Sequence, residues 1–400
     1  MNDRAFDFSN FIAERLPPPG TTPWRYANGR PRFDFGTGFP DPDSFPADGL
    51  HEALGRALKD HGRDMVLYPD PQGFLGFREF ISEKLQRERG IIVSPERILV
   101  IGGSGVALSI VTQLFTNPGD TLITEEFTYG GTLNVMKTMN ANVIGIPTDY
   151  EGMRPDILDN TISDLKRKGV LPKFIYTIPS FQNPLGTDMS ITRRREILKI
   201  AQENNVPVFE DDAYEDLRFS GDRSPAIFSY DDREMMMYCG TFSKIVAPSM
   251  RLGYLVAPQS LMPHITALHQ GRPTSQFAEL ATYYYLRDNL DDHVAEISEI
   301  LRAKRDTMLG ALGEFMGPNA VVNKPSGGMY LWVRMPDGSN LTSIAVKALE
   351  KGVSYLPGTS FSPTEEGENF LRLCFGYESH QAIRDGIALL AEVFGEEGLL

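Results

Sequence analysis

Cysteine and histidine are both scarce in this chain. Its 400 residues contain two cysteines, Cys239 and Cys374, and six histidines. Two cysteines cannot form the disulfide framework of a small secreted protein, and both lie in apolar, strand-like runs. We therefore predict buried thiols in a reducing compartment, which favours a cytoplasmic location. With so few histidines and cysteines we expect no metal site.

Basic residues are fewer than acidic residues. The chain has 39 lysines and arginines against 53 aspartates and glutamates, which gives a formal net charge of −14. This balance argues against nucleic acid and anionic membrane surfaces as partners. We also expect no signal segment, since the first residues lead into no apolar run. The uncharged run 98–115 contains three glycines and several hydroxyl side chains, which argues against a membrane span.

A lysine in a hydroxyl-rich turn is the most informative feature that is present. Lys244 follows Thr241 and Ser243, and Arg251 stands seven residues further on. Lysine forms Schiff bases with carbonyl compounds when its amine is neutral, and arginine binds phosphate through two parallel hydrogen bonds. Together they predict a site for pyridoxal 5′-phosphate (PLP). In isolation, a lysine after serine is more typical of a solvated surface.

A second motif places carboxylates at the end of an apolar run. Residues 206–209 predict a buried strand, and Glu210, Asp211 and Asp212 follow it directly. PLP needs one carboxylate against its pyridine nitrogen, because a protonated ring is the better electron sink. Asp211 fits this role, and Tyr214 in the following turn fits a phenol beside the ring oxygen. An acidic metal site is the alternative, which the scarcity of histidine disfavours.

Two further apolar runs end in turns. The run 174–178 leads to Asn183-Pro184, whose asparagine can donate a hydrogen bond to the ring oxygen, although Asn-Pro is by itself a common turn. The run 98–101 passes through Gly102–Gly105 into an apolar helical pattern. Glycines let a phosphate approach the backbone, and a helix N-terminus offers free N–H groups. The third glycine of a dinucleotide-binding G-x-G-x-x-G motif is missing.

The alternation of strands and helices from about residue 95 to 260 indicates the fold class. It is typical of a mostly parallel sheet with helices on both faces, a three-layer α/β/α domain. Helices are predicted before Gly90, after Ser190, over about 275–316 and after Ser379. Four hundred residues exceed what one core usually supports. We predict an irregular segment over 1–45, a large PLP-binding domain over 46–285 and a small α+β domain over 286–400.

In combination, these motifs resemble one enzyme family. Over nearly its whole length the chain is similar to the class I/II aminotransferases, which are aspartate aminotransferase-like PLP enzymes of fold type I, and within them to the kynurenine/2-aminoadipate aminotransferase group. Residues 68–73, 125–129 and 370–375 add to the resemblance. It assigns cofactor contacts to Tyr68, Ser104, Gly105, Tyr129, Asn183, Asp211, Tyr214, Thr241, Ser243, Lys244 and Arg251. It assigns substrate contacts to Gly38, Asn183 and Arg372.

The resemblance implies an aminotransferase of amino-acid metabolism and biosynthesis, which moves an amino group between an amino acid and a 2-oxo acid. Lys244 would hold PLP as a Schiff base and move the substrate α-proton, with Asp211 and Tyr214 supporting the chemistry. Arg372 would bind the substrate α-carboxylate. Tyr68 would reach the cofactor phosphate of a partner subunit, so a homodimer is expected. Leu16–Gly20 is rich in proline and cannot form the helix that shapes specificity in relatives, so the sequence does not predict the substrates.

Other reactions stay open on the same scaffold. Elimination, replacement, ring closure and oxygen-dependent oxidation of an amino acid all begin from the same cofactor and lysine, and the pocket decides among them. A PLP-binding transcription regulator is a less favoured alternative, because the sequence shows no basic N-terminal DNA-binding module.

Overall fold

The computed structural model describes residues 29–400 of the chain. The stretch 16–20, which is expected not to form a helix, lies outside the described residues. The described part contains ten α-helices: α1 (Ala47–His61), α2 (Leu75–Arg89), α3 (Ser104–Phe115), α4 (Gly130–Thr138), α5 (Pro155–Arg167), α6 (Ile191–Asn204), α7 (Met262–His269), α8 (Gln276–Phe315), α9 (Leu341–Lys351) and α10 (His380–Glu396).

The same range contains fifteen β-strands, several of them only two residues long. They are β1 (Phe33–Asp34), β2 (Ile98–Ile101), β3 (Thr121–Glu125), β4 (Asn142–Ile146), β5 (Thr148–Asp149), β6 (Gly152–Met153), β7 (Ile175–Thr177), β8 (Val208–Asp212), β9 (Met236–Thr241), β10 (Gly253–Val256), β11 (Val321–Val322), β12 (Tyr330–Arg334), β13 (Val353–Ser354), β14 (Leu356–Pro357) and β15 (Phe370–Cys374).

Seven strands form the central sheet, in the order β2-β10-β9-β8-β7-β3-β4. The strands from β9 to β4 are parallel, and β10 runs antiparallel to both of its neighbours. Every residue of β2, β3, β7, β8, β9 and β10 is buried, as expected for a sheet covered on both faces. The prediction of an α/β fold with a mostly parallel sheet is confirmed.

Short sequence signals set several helix ends. The Ser190 hydroxyl accepts a hydrogen bond from the Arg193 N–H at the start of α6, and Ser379 does the same at the start of α10. Gly90 ends α2 in the left-handed conformation, with φ of 68°. The predicted helix over about 275–316 is α8. These four predictions are confirmed.

The strand predicted over 206–209 needs a correction. It is β8, which begins at Val208 and continues through all three carboxylates to Asp212. Asp211 and Asp212 pair in register with Cys239 and Gly240 of β9, so they belong to the sheet and not to the turn after it. A strand can contain buried carboxylates when partners satisfy them, and such partners are present here.

A second, antiparallel sheet has the order β11-β12-β15-β14 and includes Arg372 on β15. Strand β1 pairs in parallel with β13, which joins the segment before α1 to the C-terminal third of the chain. The predicted domain boundary after residue 285 falls inside α8, a helix of 40 residues that packs against both α1 and α10. The division at residues 45 and 285 stays a prediction.

No helix within residues 29–400 combines the length and apolar character needed to cross a membrane. The uncharged run 98–115 is divided between β2 and α3, with a glycine turn between them.

Candidate active site

The side chains singled out in the sequence meet at one edge of the central sheet. Strands β2, β7, β8 and β9 end at this edge, where Ser104, Asn183, Asp211 and Lys244 lie on or just beyond them. Strand β10 runs in the opposite direction, so Arg251, just before its start, reaches the same edge. In open α/β sheets, ligands bind beyond the carboxyl ends of the parallel strands.

Lys244 lies in the turn after β9. Its Nζ donates a hydrogen bond to the Gly38 carbonyl oxygen at 2.8 Å. Burial lowers the pKa of the Lys244 amine to about 8; the nearby Cys374 thiol opposes this shift, and the charges of Arg372 and Arg251 add to it. A substantial fraction of the amine is therefore neutral near physiological pH, as a nucleophile requires.

Two buried lysines provide a contrast. Lys84 contacts the carboxylates of Glu88 and Asp216, each at 2.7 Å, and Lys304 contacts the carboxylate of Asp41. Although burial alone would lower it, these acids hold the pKa of Lys84 above its ordinary value. Lys84 is therefore held as a cation and Lys304 also faces a carboxylate, whereas Lys244 Nζ donates to an uncharged carbonyl oxygen.

Arg251 and the start of α3 form a cradle whose hydrogen-bond donors can bind a phosphate. Gly103 precedes α3 with φ of 91°, and a Cβ added there would lie 2.9 Å from Arg251 Nη2. Arg251 Nη2 also donates to the Gly102 carbonyl at 2.6 Å. A Cβ added to Gly253 would lie 3.1 Å from the Ser104 nitrogen. Glycine is thus required for the backbone to pass beside the guanidinium and the helix N-terminus.

Two hydroxyls lie next to this cradle. Thr241 Oγ1 donates to Ser243 Oγ at 3.0 Å and accepts from the Ser243 N–H at 3.2 Å. Thr241 also pairs in register with Gly253, whose backbone contacts the start of α3. The hydroxyls, Arg251 and the free N–H groups of α3 are all phosphate donors.

Asp211 is a buried carboxylate with two neutral donors. Tyr176 Oη donates to Asp211 Oδ2 at 2.7 Å, and the Cys239 thiol donates to Oδ1 at 3.4 Å. Burial raises the pKa of the Asp211 carboxyl to about 6, while these two hydrogen bonds favour the ionised form. Asp212, in contrast, is bound to Arg89 at 2.7 Å. Of these two carboxylates, Asp211 is thus the one that contacts no cation within residues 29–400 and can accept one.

Arg372, Asn183 and Tyr214 form a hydrogen-bonded chain. Arg372 Nη1 donates to Asn183 Oδ1 at 2.9 Å, and Asn183 Nδ2 donates to Tyr214 Oη at 3.2 Å. Arg372 Nη2 donates to the Gly36 carbonyl at 2.5 Å, and the buried Nε has no hydrogen-bond partner within residues 29–400. An unsatisfied guanidinium donor in an active site can bind a carboxylate.

The glycine segment 36–38 closes one side of the site. Asp34 Oδ1 accepts hydrogen bonds from the Gly36 and Thr37 N–H groups, at 3.2 and 3.1 Å, and from the Ser354 hydroxyl at 2.8 Å. This turn fixes the two carbonyl oxygens, of Gly36 and Gly38, that accept from Arg372 and Lys244.

Tyr129 and Tyr68 are placed differently from the rest. Tyr129 precedes α4, and partial burial raises the pKa of its phenol, with the Asp211 charge adding to the rise. Its ring is therefore near the site and 39% exposed. Tyr68 is 99% exposed in the loop before α2, so among the described residues it lies apart from the site of its own chain. Gly105 lies in the first turn of α3 and is exposed.

Sequence reasoning missed two tyrosines. Tyr176 on β7 binds Asp211, and Tyr330 on β12 lies 3.3 Å from the Tyr214 hydroxyl. Each is a polar-tipped side chain in an otherwise apolar strand, and a buried phenol usually has a hydrogen-bond partner. That signal marks both residues for attention but does not name the partner.

Comparison with known proteins agrees with this geometry. The model of the family "Aminotransferase class I and II" matches residues 33–384. The multiple substrate aminotransferase of Thermococcus profundus is 32% identical with a TM-score of 0.92, over 98% of this chain and 99% of that one. The kynurenine aminotransferase of Pyrococcus horikoshii is 34% identical with a TM-score of 0.86, over 91% of each chain. The α-aminoadipate aminotransferase LysN of Thermus thermophilus is 29% identical with a TM-score of 0.85, over 92% of this chain and 93% of that one.

The fold defines an α/β protein of fold type I, and the residues at the strand ends have the chemistry of a PLP site. The chain belongs to the class I and II aminotransferases. It is a PLP-dependent enzyme that transfers amino groups, and its resemblance to the kynurenine/2-aminoadipate aminotransferase group is confirmed.

Proposed function

We propose that Lys244 is the residue that binds PLP covalently. The observation that carries this proposal is the difference between three lysines: Lys84 and Lys304 contact carboxylates, whereas Lys244 donates to a carbonyl oxygen and burial, with two arginines, lowers its pKa to about 8. Bound PLP supplies a carbonyl for an amine and a conjugated ring that accepts electrons from the substrate Cα.

We propose that Arg251 and the N-terminus of α3 bind the PLP phosphate. Support comes from the close approach of the guanidinium to the backbone at Gly103, where no side chain fits. Ser104 and Gly105 open the helix and offer N–H groups, and the Thr241 and Ser243 hydroxyls lie beside them. A dianionic phosphate would gain from both the helix dipole and the guanidinium charge.

Four other residues are assigned to the ring of PLP. Asp211 would face a cationic pyridine nitrogen, since it is a buried carboxylate with only neutral donors. Tyr214 and Asn183 would bind the ring oxygen, because both belong to the hydrogen-bonded chain that ends at Arg372. Tyr129 would stack on the ring face, since its half-buried aromatic side chain lies at the start of α4.

Substrate binding is assigned to Arg372, Asn183 and Gly38. The buried Arg372 guanidinium has an unsatisfied Nε, so a substrate α-carboxylate would find a donor and a positive charge there. Lys244 Nζ rests on the Gly38 carbonyl and is within the same site. Once the substrate amine replaces it, the neutral Lys244 amine can accept the proton from the substrate Cα and later return it.

We further propose a homodimer in which Tyr68 enters the site of the partner. A cavity of about 810 Å³ lies beside Arg251, Gly102 and Gly105 and is largely apolar where α1, α3 and α8 meet. On the same chain Val66, Leu67 and Tyr68 are 86%, 64% and 99% exposed. An exposed apolar loop and an open apolar cavity beside a phosphate site fit a second copy of this chain.

The location of the protein is proposed from its cysteines, and its metabolic role from the family to which it belongs. Cys239 and Cys374 are both buried and unpaired, which suits a reducing compartment such as the cytoplasm. The substrates are proposed to be an amino acid and a 2-oxo acid, within amino-acid metabolism or biosynthesis.

Covalent mapping tests the assignment of Lys244. The holoenzyme is reduced with borohydride, digested and analysed by mass spectrometry, with Lys84 and Lys304 as internal comparisons. We expect the pyridoxyl group on Lys244 alone, because the pKa of its amine is lowered to about 8, whereas Lys84 and Lys304 are bound to carboxylates. Label on either of the other buried lysines, or on none, would show that the assignment is wrong.

A further inference from the structure

Tyr330 is the first residue of β12, and its side chain is buried in the active site. Its hydroxyl lies 3.3 Å from the Tyr214 hydroxyl, and the two rings meet edge to face with centroids 5.5 Å apart. A Cβ added to Gly38 would lie 2.2 Å from the same Tyr330 hydroxyl. The phenol thus sits between the glycine segment and Tyr214, with no space left beside it.

The ring of Tyr330 also supports the carboxylate-binding arginine. The Arg372 guanidinium carbon lies 4.2 Å from the Tyr330 ring centroid and 5.0 Å from that of Phe361. Arg372 is connected through Asn183 to Tyr214, and Tyr214 contacts the Tyr330 hydroxyl. The four residues Arg372, Asn183, Tyr214 and Tyr330 therefore form a closed ring of contacts, in which Tyr330 takes part through both its face and its hydroxyl.

The hydrogens of this ring can be assigned from donor chemistry. Asn183 Oδ1 accepts from Arg372, so the other end of its amide, Nδ2, is the donor to Tyr214. An amide nitrogen only donates, and Tyr214 Oη therefore accepts this bond. If Tyr330 also donates to it, Tyr214 Oη has accepted twice and its own hydrogen points elsewhere.

We propose that Tyr330 is a positioning residue that acts on both halves of the site. Its hydroxyl donates to Tyr214 and so directs the Tyr214 proton toward the ring oxygen of PLP. Its ring face holds the Arg372 guanidinium in the orientation that binds the substrate carboxylate. This inference rests on the proposed roles of Lys244, Tyr214 and Arg372, and it adds a residue that none of those roles requires.

The two roles of Tyr330 predict two separable effects. A phenol that accepts two hydrogen bonds is a stronger donor, and a stronger donor at the ring oxygen makes the Lys244 Schiff-base nitrogen less basic. Tyr330→Phe removes the hydroxyl but keeps the ring. We expect the pH midpoint of the visible absorbance to rise by about half a unit to one unit, as loss of one ordinary hydrogen bond would give. The KM for the amino acid should stay within about twofold of the wild-type value, because the cation–π contact is kept.

Tyr330→Leu removes the ring as well and tests the second role. We expect the same rise in the absorbance midpoint together with a KM about tenfold higher, since Arg372 loses its aromatic support. Tyr355→Phe is the matched control: Tyr355 is also a buried tyrosine of the C-terminal region, and its hydroxyl donates to the Leu341 carbonyl at 2.6 Å. Its midpoint and KM should equal those of the wild type.

The outcomes distinguish this inference from the proposed function. Borohydride mapping of every variant shows whether PLP is still attached to Lys244; label elsewhere, in the wild type as well, would refute the proposed function and with it the basis of the role of Tyr330. With Lys244 labelled, a Tyr330→Phe midpoint equal to that of the wild type would overturn the hydroxyl role. An unchanged KM in Tyr330→Leu would overturn the ring role. An equal shift in Tyr355→Phe would also overturn the proposal, because loss of any buried hydroxyl would then suffice.

Discussion

Burial shifts the pKa values of Lys244 and Asp211 in opposite directions for one physical reason. A poorly solvated site disfavours charge, so the amine loses its proton more easily and the carboxyl keeps its proton longer. The Lys244 pKa falls to about 8 and the Asp211 pKa rises to about 6. In the described part of the chain, neither side chain has an opposite charge in direct contact that would cancel the shift. Both groups are therefore ready to react or to accept a cation, as their proposed roles require.

The first prediction concerns the pH dependence of PLP attachment. Addition of PLP to the apoenzyme should speed up as pH rises, with a midpoint near the Lys244 pKa of about 8, because only the deprotonated amine attacks a carbonyl. Stopped-flow absorbance across the pH range measures the rate. Lys244→Ala is the control and should show no covalent absorbance change. A midpoint near the ordinary lysine value of 10.5 would contradict the account.

The second prediction separates Asp211 from its neighbour. Asp211→Ala should lower kcat by at least ~10²-fold, the scale of losing a key electrostatic partner, because the pyridine nitrogen loses its carboxylate. Asp212→Ala should act mainly on thermal stability, since Asp212 binds Arg89 and the Tyr238 hydroxyl. Steady-state kinetics and melting curves of both variants provide the comparison. A larger loss of kcat in Asp212→Ala would mean that the two roles are exchanged.

At the scale of helices and strands, features set by nearby residues could be predicted from the sequence, whereas contacts that depend on how strands and sheets pack could not. Ser190, Ser379 and Gly90 set helix ends by bonds within a few residues, so the sequence pattern was sufficient. Tyr176 reaches Asp211 because β7 lies beside β8 in the sheet, and Tyr330 reaches Tyr214 because a different sheet packs nearby. Such pairings depend on the tertiary arrangement, which no local pattern contains.

The end of β8 also could not be predicted from the local sequence. Its carboxylates look like the end of a strand, since charged side chains seldom continue into a core. In the structure, Arg89 from the end of α2 binds Asp212, and Arg194 from α6 lies 3.8 Å from Glu210. Partners from two distant helices therefore permit the strand to continue to Asp212.

The third prediction concerns the buried ion pair that connects α2 to the segment after β8. Lys84→Met should lower the free energy of unfolding by up to roughly 3–5 kcal/mol at pH 7, because Glu88 and Asp216 would lose the buried cation between them and keep only the arginines Arg223 and Arg87. Lys347→Met is the exposed control, and loss of its pair with Glu397 should cost under about 1 kcal/mol. Urea unfolding measures both.

The pH dependence of the same pair follows from its pKa shifts. Despite the opposing effect of burial, Lys84 and Arg223 hold the pKa of Glu88 at about 2, below its ordinary 4.5. In the wild type this stabilisation is present above pH 4.5 and is lost as pH falls toward 2. The variant lacks the Lys84 contribution, so its deficit should shrink as the pH falls through this window. A deficit that is constant with pH would argue against the ion pair as the cause.

At the scale of the whole molecule, the site is proposed to need two chains. The cavity beside Arg251 is open, and Tyr68 is almost fully exposed on its own chain. A C2 dimer would place the same loop of each subunit in the cavity of the other, because such interfaces are reciprocal. Neither feature was a sequence pattern; the tyrosine was assigned through family resemblance alone.

The fourth prediction tests this sharing of residues. Tyr68→Ala and Lys244→Ala should each be nearly inactive, and mixing them under conditions of subunit exchange should restore about a quarter of wild-type activity. Half of the randomly formed dimers are hybrids, and each hybrid has one site with both residues intact. Mixing Lys244→Ala with Arg251→Ala should restore no comparable activity, because both residues act in the same subunit. A fully active monomer in analytical ultracentrifugation would contradict the dimer.

The central claim is that one lysine, Lys244, takes the α-proton of an amino acid bound by Arg372 and returns it within a transamination cycle. The most direct measurement is a single half-reaction of stoichiometric holoenzyme with each of a panel of amino acids, followed by absorbance and mass spectrometry. We predict that a reactive amino acid gives its 2-oxo acid and the pyridoxamine form of the cofactor, and that a second 2-oxo acid restores the original spectrum. Release of ammonia, a replacement product or hydrogen peroxide, with no pyridoxamine form from any amino acid, would contradict the account.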